Sequence, residues 1–139
     1  MLEEAKDVER DHVENEVAIL HRLGYRFVTM TCLDAGGDHE ILYHFDKQYR
    51  MRSLRLRLPK GTPLPSISAL YFAANLIENE IKDMFGIVVE GLGIDFQGRF
   101  LLAEDAPRTP LNKNCGMKVD IRVRQPAATA ATSERSDPV

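Results

Sequence analysis

The stretch from Ala74 to Ile87 constrains this chain most, because only there do charge, helix signals and apolar periodicity coincide. It predicts a short helix. The side-chain oxygen of Asn75 is placed to cap the first turn, and Glu78, three residues on, to complete a capping box. Gly86 is a natural stop, since the residue past a last turn is often left-handed and glycine adopts that conformation cheaply. At about 100° per residue, Ile77, Ile81, Met84 and Phe85 form one stripe that should face a core. Glu78 and Lys82 sit side by side on one flank as an i,i+4 pair, and Glu80 and Asp83 lie near each other on the other.

An exposed i,i+4 pair contributes only a few tenths of a kcal/mol, roughly, too little to account for Glu78, Glu80 and Asp83 in so short a span. Three roles compete for these acids. They can form a solvated helix rim, the usual fate of clustered charge. They can supply a catalytic carboxylate pair, although such pairs need separated pKa values across a cleft and generally come from different elements. Or they can lie at an interface, where acids beside an apolar stripe meet arginines and fix orientation.

The rest of the chain supplies a sheet. A helix is expected from about Glu4 to Leu23, with Val13, Val17 and Leu20 on one face and Gly24 as its end. His12 and His21 lie too far apart on it to share a ligand face. Tyr25–Leu33 and Glu40–Phe45 read as strands of a hairpin around Asp34–Asp38. Cys32 sits in the first of them as a small hydrophobe. Neither His39 nor His44 has a patterned partner for nucleophilic chemistry. From Arg50 to Leu58, Leu54, Leu56 and Leu58 point to one face, while Ser53, Arg55 and Arg57 point to the other. With Arg50 and Arg52, that second face is cationic, either simply solvated or a docking surface.

Pro59–Pro65 is a stiff loop, and Ser66 is placed to cap a short helix to about Tyr71. Ile87–Val89 reads as a short strand. Gly91, Gly93 and Gly98 punctuate a loop with no helix-forming segment after it, so they are no dinucleotide fingerprint. Pro107–Met117 should run extended over the surface, with Cys115 as an exposed thiol. Val119, Ile121 and Val123 alternate with Asp120, Arg122 and Arg124 as a closing strand or an arm laid on a partner. From Gln125 to Val139 the composition turns to alanine, threonine, serine and proline, the signature of a disordered tail. The expectation is therefore one α+β domain over residues 1–124, an antiparallel sheet of three to five strands with helices on one side, and a tail over 125–139.

The segment Glu78-Asn79-Glu80-Ile81-Lys82-Asp83-Met84-Phe85-Gly86-Ile87 resembles the signature of the thirty-kilodalton subunit of respiratory complex I, an NADH dehydrogenase. Close relatives of that subunit occur in membrane-bound, energy-converting nickel-iron hydrogenases. Glu78, Glu80, Asp83, Gly86 and Ile87 match, while Asn79 stands where the family usually has arginine. The likeness extends to Leu64-Pro65-Ser66-Ile67, to Ala73-Ala74-Asn75 and to Pro110-Leu111-Asn112-Lys113-Asn114. It departs at Gly91–Phe100, where the family has a histidine-proline and double-arginine segment. The chain is short for a complex I subunit, which leans toward the hydrogenase branch.

The resemblance implies an accessory subunit of a hydrophilic redox arm that holds no cofactor of its own. Its partners would be a large quinone-site or nickel-iron subunit and a small iron-sulfur subunit. Glu78, Glu80, Asp83, Phe85 and Gly86 would anchor the core helix, and Arg55 and Arg57 would face a partner. Residue chemistry is compatible with this. Cys32 and Cys115 are isolated, so this chain cannot alone supply the thiolates of an iron-sulfur cluster or a structural zinc. A net charge of −3 gives no field to hold nucleic acid. No apolar run approaches the ~20 residues of a membrane span, and Met1-Leu2-Glu3-Glu4 lacks the basic start of a signal peptide. A cytoplasmic subunit, peripheral on a membrane through its complex, is the expectation. The alternatives are a stand-alone enzyme using Glu78, Glu80 or Asp83 as general acid or base and a regulatory binding module sharing the fold.

Overall fold

A computed structural model describes residues 4–113. Cys115, the alternating segment from Val119 to Arg124 and the expected tail lie outside the described residues. Within them the chain runs β1 (Lys6–Val8), a 3-10 turn (Arg10–His12), α1 (Val13–Arg22), β2 (Arg26–Asp34), β3 (Asp38–Lys47), β4 (Arg50–Pro59), β5 (Leu64–Pro65), α2 (Ala74–Phe85) and β6 (Val89–Glu90). The main sheet has the order β1-β4-β3-β2.

The strands β2 to β4 form an antiparallel meander, and β4 follows its expected alternation. Ile41, Tyr43 and Phe45 of β3 and Leu54, Leu56 and Leu58 of β4 turn inward and are buried, because a period of two sends successive side chains to opposite faces. Both helices contribute to the same core. Val13, Val17 and Leu20 of α1 and Ala74, Ile81 and Phe85 of α2 join it, so the helices cover one side of the sheet. The β3–β4 turn is less legible, since Gln48 and Tyr49 hold φ of 50° and 64° without the Asn-Gly pair that tight hairpins prefer.

Three expectations need correction. The first helix begins at Val13 rather than at Glu4, because Lys6–Val8 pairs in parallel with Leu54–Leu56. A strand so short is invisible to periodicity, and its pairing with β4 overrides whatever helical preference the segment has. The sheet is therefore mixed rather than wholly antiparallel. The expected helix after Ser66 shrinks to one turn, in which the amides of Leu70 and Tyr71 both donate to the Ile67 carbonyl. Part of the proline loop is also a strand: Leu64 and Pro65 pair in parallel with Val89 and Glu90. The ladder uses the amides of Leu64 and Ser66, each 2.8 Å from its acceptor, so proline's missing N–H costs nothing there.

Gly86 ends α2 as expected, with φ of 70° and its amide on the Lys82 carbonyl. A Cβ at this position would fall 2.6 Å from Cγ2 of Thr109. Gly86→Ala should therefore cost roughly 1–2 kcal/mol, the left-handed conformation being unfavourable for alanine and the methyl needing room. Chemical denaturation checks this, and an unchanged midpoint would show that the helix end and Thr109 relax freely.

Candidate functional site

α2 carries the candidate site, and its polar side chains, Glu80 excepted, are turned toward the protein rather than toward water. Asn75, Asn79 and Asp83 follow one another at spacings of four, so they form a row along one side of the helix. That row holds the loop after β6. The Asn75 Oδ1 accepts from the Ile94 amide at 3.0 Å, the Asn79 Oδ1 from the Phe96 amide at 3.0 Å and the Asp83 Oδ2 from the Leu101 amide at 2.7 Å. Asn79 also donates through Nδ2 to the carbonyls of Asn75 (2.8 Å) and Ile94 (2.9 Å). Lys82 closes the clamp by donating to both carboxylate oxygens of Asp95 at 2.8 Å.

Glu78 lies on the core side and is fully buried. Its Oε1 accepts from the Ile67 amide at 2.7 Å and its Oε2 from the Ser66 hydroxyl at 2.6 Å, while Ser66 Oγ accepts from the Ser68 amide. Burial pushes the Glu78 carboxyl above its ordinary value, and the bonds from Ser66 and Ile67 pull the other way. The Tyr43 hydroxyl is buried nearby without a hydrogen-bond partner among the described residues. Burial, then the charge of Glu78, raises its pKa.

The far end of α2 is fastened by a second strap. Asn112 donates to the Phe85 carbonyl at 2.7 Å, and the Leu111 amide donates to the Met84 carbonyl at 3.0 Å. These bonds satisfy carbonyls that a helix end leaves open. Asn112 Oδ1 also meets His39 Nε2 at 2.9 Å. One residue further, the Lys113 amide donates to Asp34 Oδ2 at 2.7 Å, and Lys60 Nζ lies 2.8 Å from Oδ1. Lys60, then the amides of Lys113 and Gly36, hold the Asp34 carboxyl well below its ordinary range.

Several expected contacts are not made. Asn75 and Glu78 do not form a capping box: the helix begins at Ala74 after Ala73, so both residues lie inside it and are occupied elsewhere. The Glu78–Lys82 pair is absent because Lys82 reaches Asp95. Glu78 and Asp83 are no solvated rim, at 0% and 3% exposure, and their hydrogen-bond partners are backbone amides and Ser66, not arginines. Phe85 is buried as expected, with its ring edge-on to His39 at 5.7 Å. Glu80 is exposed.

Arg55 and Arg57 stand on the outer face of the sheet, away from α2. Arg55 lies 3.3 Å from Glu40 and 3.5 Å from Asp7, whereas Arg57 is exposed. The structure therefore does not gather the expected residues into one site. It gives a polar clamp on one side of the sheet and an arginine face on the other. The roles of Ser66, Asn75, Asn112, Asp34 and Lys60 in holding the clamp and strap are not legible in the sequence. One signal is present: short polar residues recurring every fourth position inside a helix, where they are poor helix formers and need another reason to be there.

The chemistry open to this arrangement is limited by burial. A cleft of about 390 Å³ is lined by Glu4, Lys6, Glu16, Arg52 and the core edge, and one of about 510 Å³ by Cys32, Asp34, Phe85 and Leu111 among others. Neither is lined by Glu78, Glu80 or Asp83. The Cys32 thiol in the second is pushed up to about 12 by burial and then by the charge of Asp34, so it is not a ready thiolate.

Comparison with known proteins agrees with the resemblance. Residues 6–120 match the family described as respiratory-chain NADH dehydrogenase, 30 Kd subunit. The C-type subunit of NADH-quinone oxidoreductase from Dinoroseobacter shibae is 37% identical over 54 residues, covering 37% of this chain and 25% of that protein. Its counterpart from Ruegeria pomeroyi is also 37% identical over 54 residues, covering 37% of this chain and 27% of that protein. These alignments span about a quarter of the curated relatives. Among solved structures, a chain of the membrane-bound sulfane sulfur reductase, an archaeal respiratory membrane complex, superposes with a TM-score of 0.65 at 20% identity. The match covers 80% of this chain and 70% of that one, a likeness of fold.

Proposed function

The chain belongs to the family of the 30 Kd subunit of respiratory-chain NADH dehydrogenase, and from that premise we propose that it is an accessory subunit of a membrane-associated redox complex. In this reading it binds no cofactor and supports neighbouring subunits that carry iron-sulfur clusters and either a quinone site or a nickel-iron centre. The observation that carries the reading is the use to which α2 puts its polar groups. Asn75, Asn79 and Asp83 are spent on the backbone of residues 94–101, and Glu78 on Ser66 and Ile67. Such an arrangement shapes and stiffens a surface. It spends Glu78 and Asp83, two of the three acids named for a stand-alone enzyme, on holding the fold, which counts against that enzyme. Among the described residues no helix is long and apolar enough to cross a membrane. Attachment through partners at the inner face of the membrane fits that.

Affinity purification of the chain from its host in mild detergent, with mass spectrometry of what accompanies it, tests the proposal. Co-purification of a quinone-site or nickel-iron subunit with an iron-sulfur subunit is the expected result, and the identity of the large subunit separates the complex I branch from the hydrogenase branch. Recovery of the chain alone would overturn the accessory role.

A further inference from the structure

Within α2 only Leu76 and Glu80 are exposed; every other residue from Ala74 to Phe85 is buried or half-buried. They lie one turn apart and so share a face of the helix. Phe72, one turn before Leu76, is 67% exposed and Leu76 49%. The clamped loop adds Ile94 and Phe96, both exposed, because the amides of these two residues are the ones bound by Asn75 and Asn79. Phe72 lies close to the same loop, its Cε2 3.9 Å from where a Cβ on Gly93 would stand. The result is an apolar ridge on a backbone fixed by side-chain hydrogen bonds.

Glu80 stands beside Leu76 and differs from the other polar residues of α2, while the exposed Asp95 between Ile94 and Phe96 is already paired with Lys82. Asn75, Glu78, Asn79, Lys82 and Asp83 all have partners within the chain. Glu80 has neither an ion pair nor a hydrogen bond among the described residues. Two of the three motif acids thus serve the fold, and the third is left exposed beside Leu76.

Resting on the accessory-subunit reading, we propose that the ridge formed by Phe72, Leu76, Ile94 and Phe96 docks an apolar surface of a neighbouring subunit that presents an arginine to Glu80. A carboxylate enclosed by apolar groups loses water on docking and needs a cation in its place. Guanidinium is less strongly hydrated than ammonium, pairs with carboxylate in a bidentate fork and is enriched at interfaces. An anionic lipid surface does not suit this face, because the exposed Glu80 carries the same sign. A second copy of this chain docking ridge to ridge about a two-fold axis would likewise set Glu80 against Glu80.

The test repeats the host purification with Glu80→Arg, Glu80→Gln, Leu76→Asp and, as a control at an exposed position of α1, Arg22→Glu. Thermal unfolding of each isolated variant and its mass by light scattering are measured in parallel. The expected result is at least a tenfold loss of the accompanying redox subunits for Glu80→Arg and Leu76→Asp, a smaller loss for Glu80→Gln and none for Arg22→Glu, all with melting temperatures near wild type. If the wild-type chain brings the redox subunits and so do both ridge variants, the ridge is not the docking surface and the accessory reading stands. If only the ridge variants that unfold lose partners while Glu80→Gln behaves as wild type, the charge has no role and the proposal fails. A wild-type dimer that Glu80→Arg dissociates would assign the ridge to self-association and overturn it. If the wild-type chain brings no redox subunit, the accessory reading fails and this inference with it.

Discussion

Glu78→Ala should lower the unfolding free energy by about 3 kcal/mol, the cost expected when a buried polar partner is removed and a cavity is left. The substitution strips the acceptor from the buried Ile67 amide and from the Ser66 hydroxyl, at 2.7 and 2.6 Å. An orphaned buried amide costs about 1–3 kcal/mol by itself. Relief of a desolvated carboxylate offsets part of the loss, since burial is what raises the Glu78 pKa. Glu78→Gln separates the contributions. The amide can accept from Ile67 through its oxygen and donate to Ser66 through its nitrogen, so the variant should stay folded.

Its pH profile should differ from wild type in a defined direction. A carboxyl whose pKa is higher folded than unfolded keeps its proton in the folded state after the unfolded chain has released it. The stability it contributes is therefore complete below its unfolded value near 4.5 and declines as pH rises through the folded pKa. The stability of wild type relative to Glu78→Gln should fall as pH is raised from about 4.5 and then level off. Asp34 works in the opposite sense, its lowered pKa stabilising the fold above its ordinary value of 3.8 and less so as pH falls, but it is common to both proteins and cancels in the difference. Denaturation midpoints at a series of pH values measure this, and a difference that does not change with pH would show that Glu78 titrates alike in folded and unfolded chains.

The misreading of Glu78 as half of a capping box is informative about what periodicity can deliver. Aromatic and β-branched content with the turn at Asp34–Asp38 locates β2 and β3, and apolar alternation locates β4 with its inward set Leu54, Leu56 and Leu58, because each of those positions answers to one dominant force. The stripe Ile77, Ile81, Met84 and Phe85 is legible too, although Ile77 and Met84 are only half-buried. Polar positions answer to partners distant in sequence. Asn75 and Glu78 have the spacing of a capping box, and nothing local distinguishes that from a residue reaching Ile94 or Ser66. Lys82 has Glu78 one turn away and still pairs with Asp95, because Glu78 is turned into the core where a lysine could not follow without losing its water. β1 escapes for a related reason: three residues in parallel with β4 have no local signature at all. The motif is recognisable, then, while the division of labour among its acids is not.

Asn79 is where that division can be tested against the family pattern, in which arginine is usual at this position. Asn79 is fully buried and both ends of its amide are engaged, with Ile94, Asn75 and Phe96. Asn79→Arg has to place a longer, charged side chain in a space filled by a short neutral one. Overpacking costs about 1–3 kcal/mol, and an unpaired buried charge adds several more, roughly, unless it escapes to solvent. A loss of about 3 kcal/mol or more is expected. Asn79→Ala should lose about 2 kcal/mol, from the freed carbonyl of Ile94 and amide of Phe96. Hydrogen exchange at the Phe96 amide gives the decisive reading, because it reports the clamp directly: both variants should exchange faster there, while the β3 amides stay protected until global unfolding. An arginine variant as stable as wild type, with the Phe96 amide still protected, would mean that the clamp tolerates the family residue. On the expected outcome, asparagine here belongs to a clamp in which the helix holds its neighbouring loop through two amides and one carboxylate, a clamp that leaves no room for arginine.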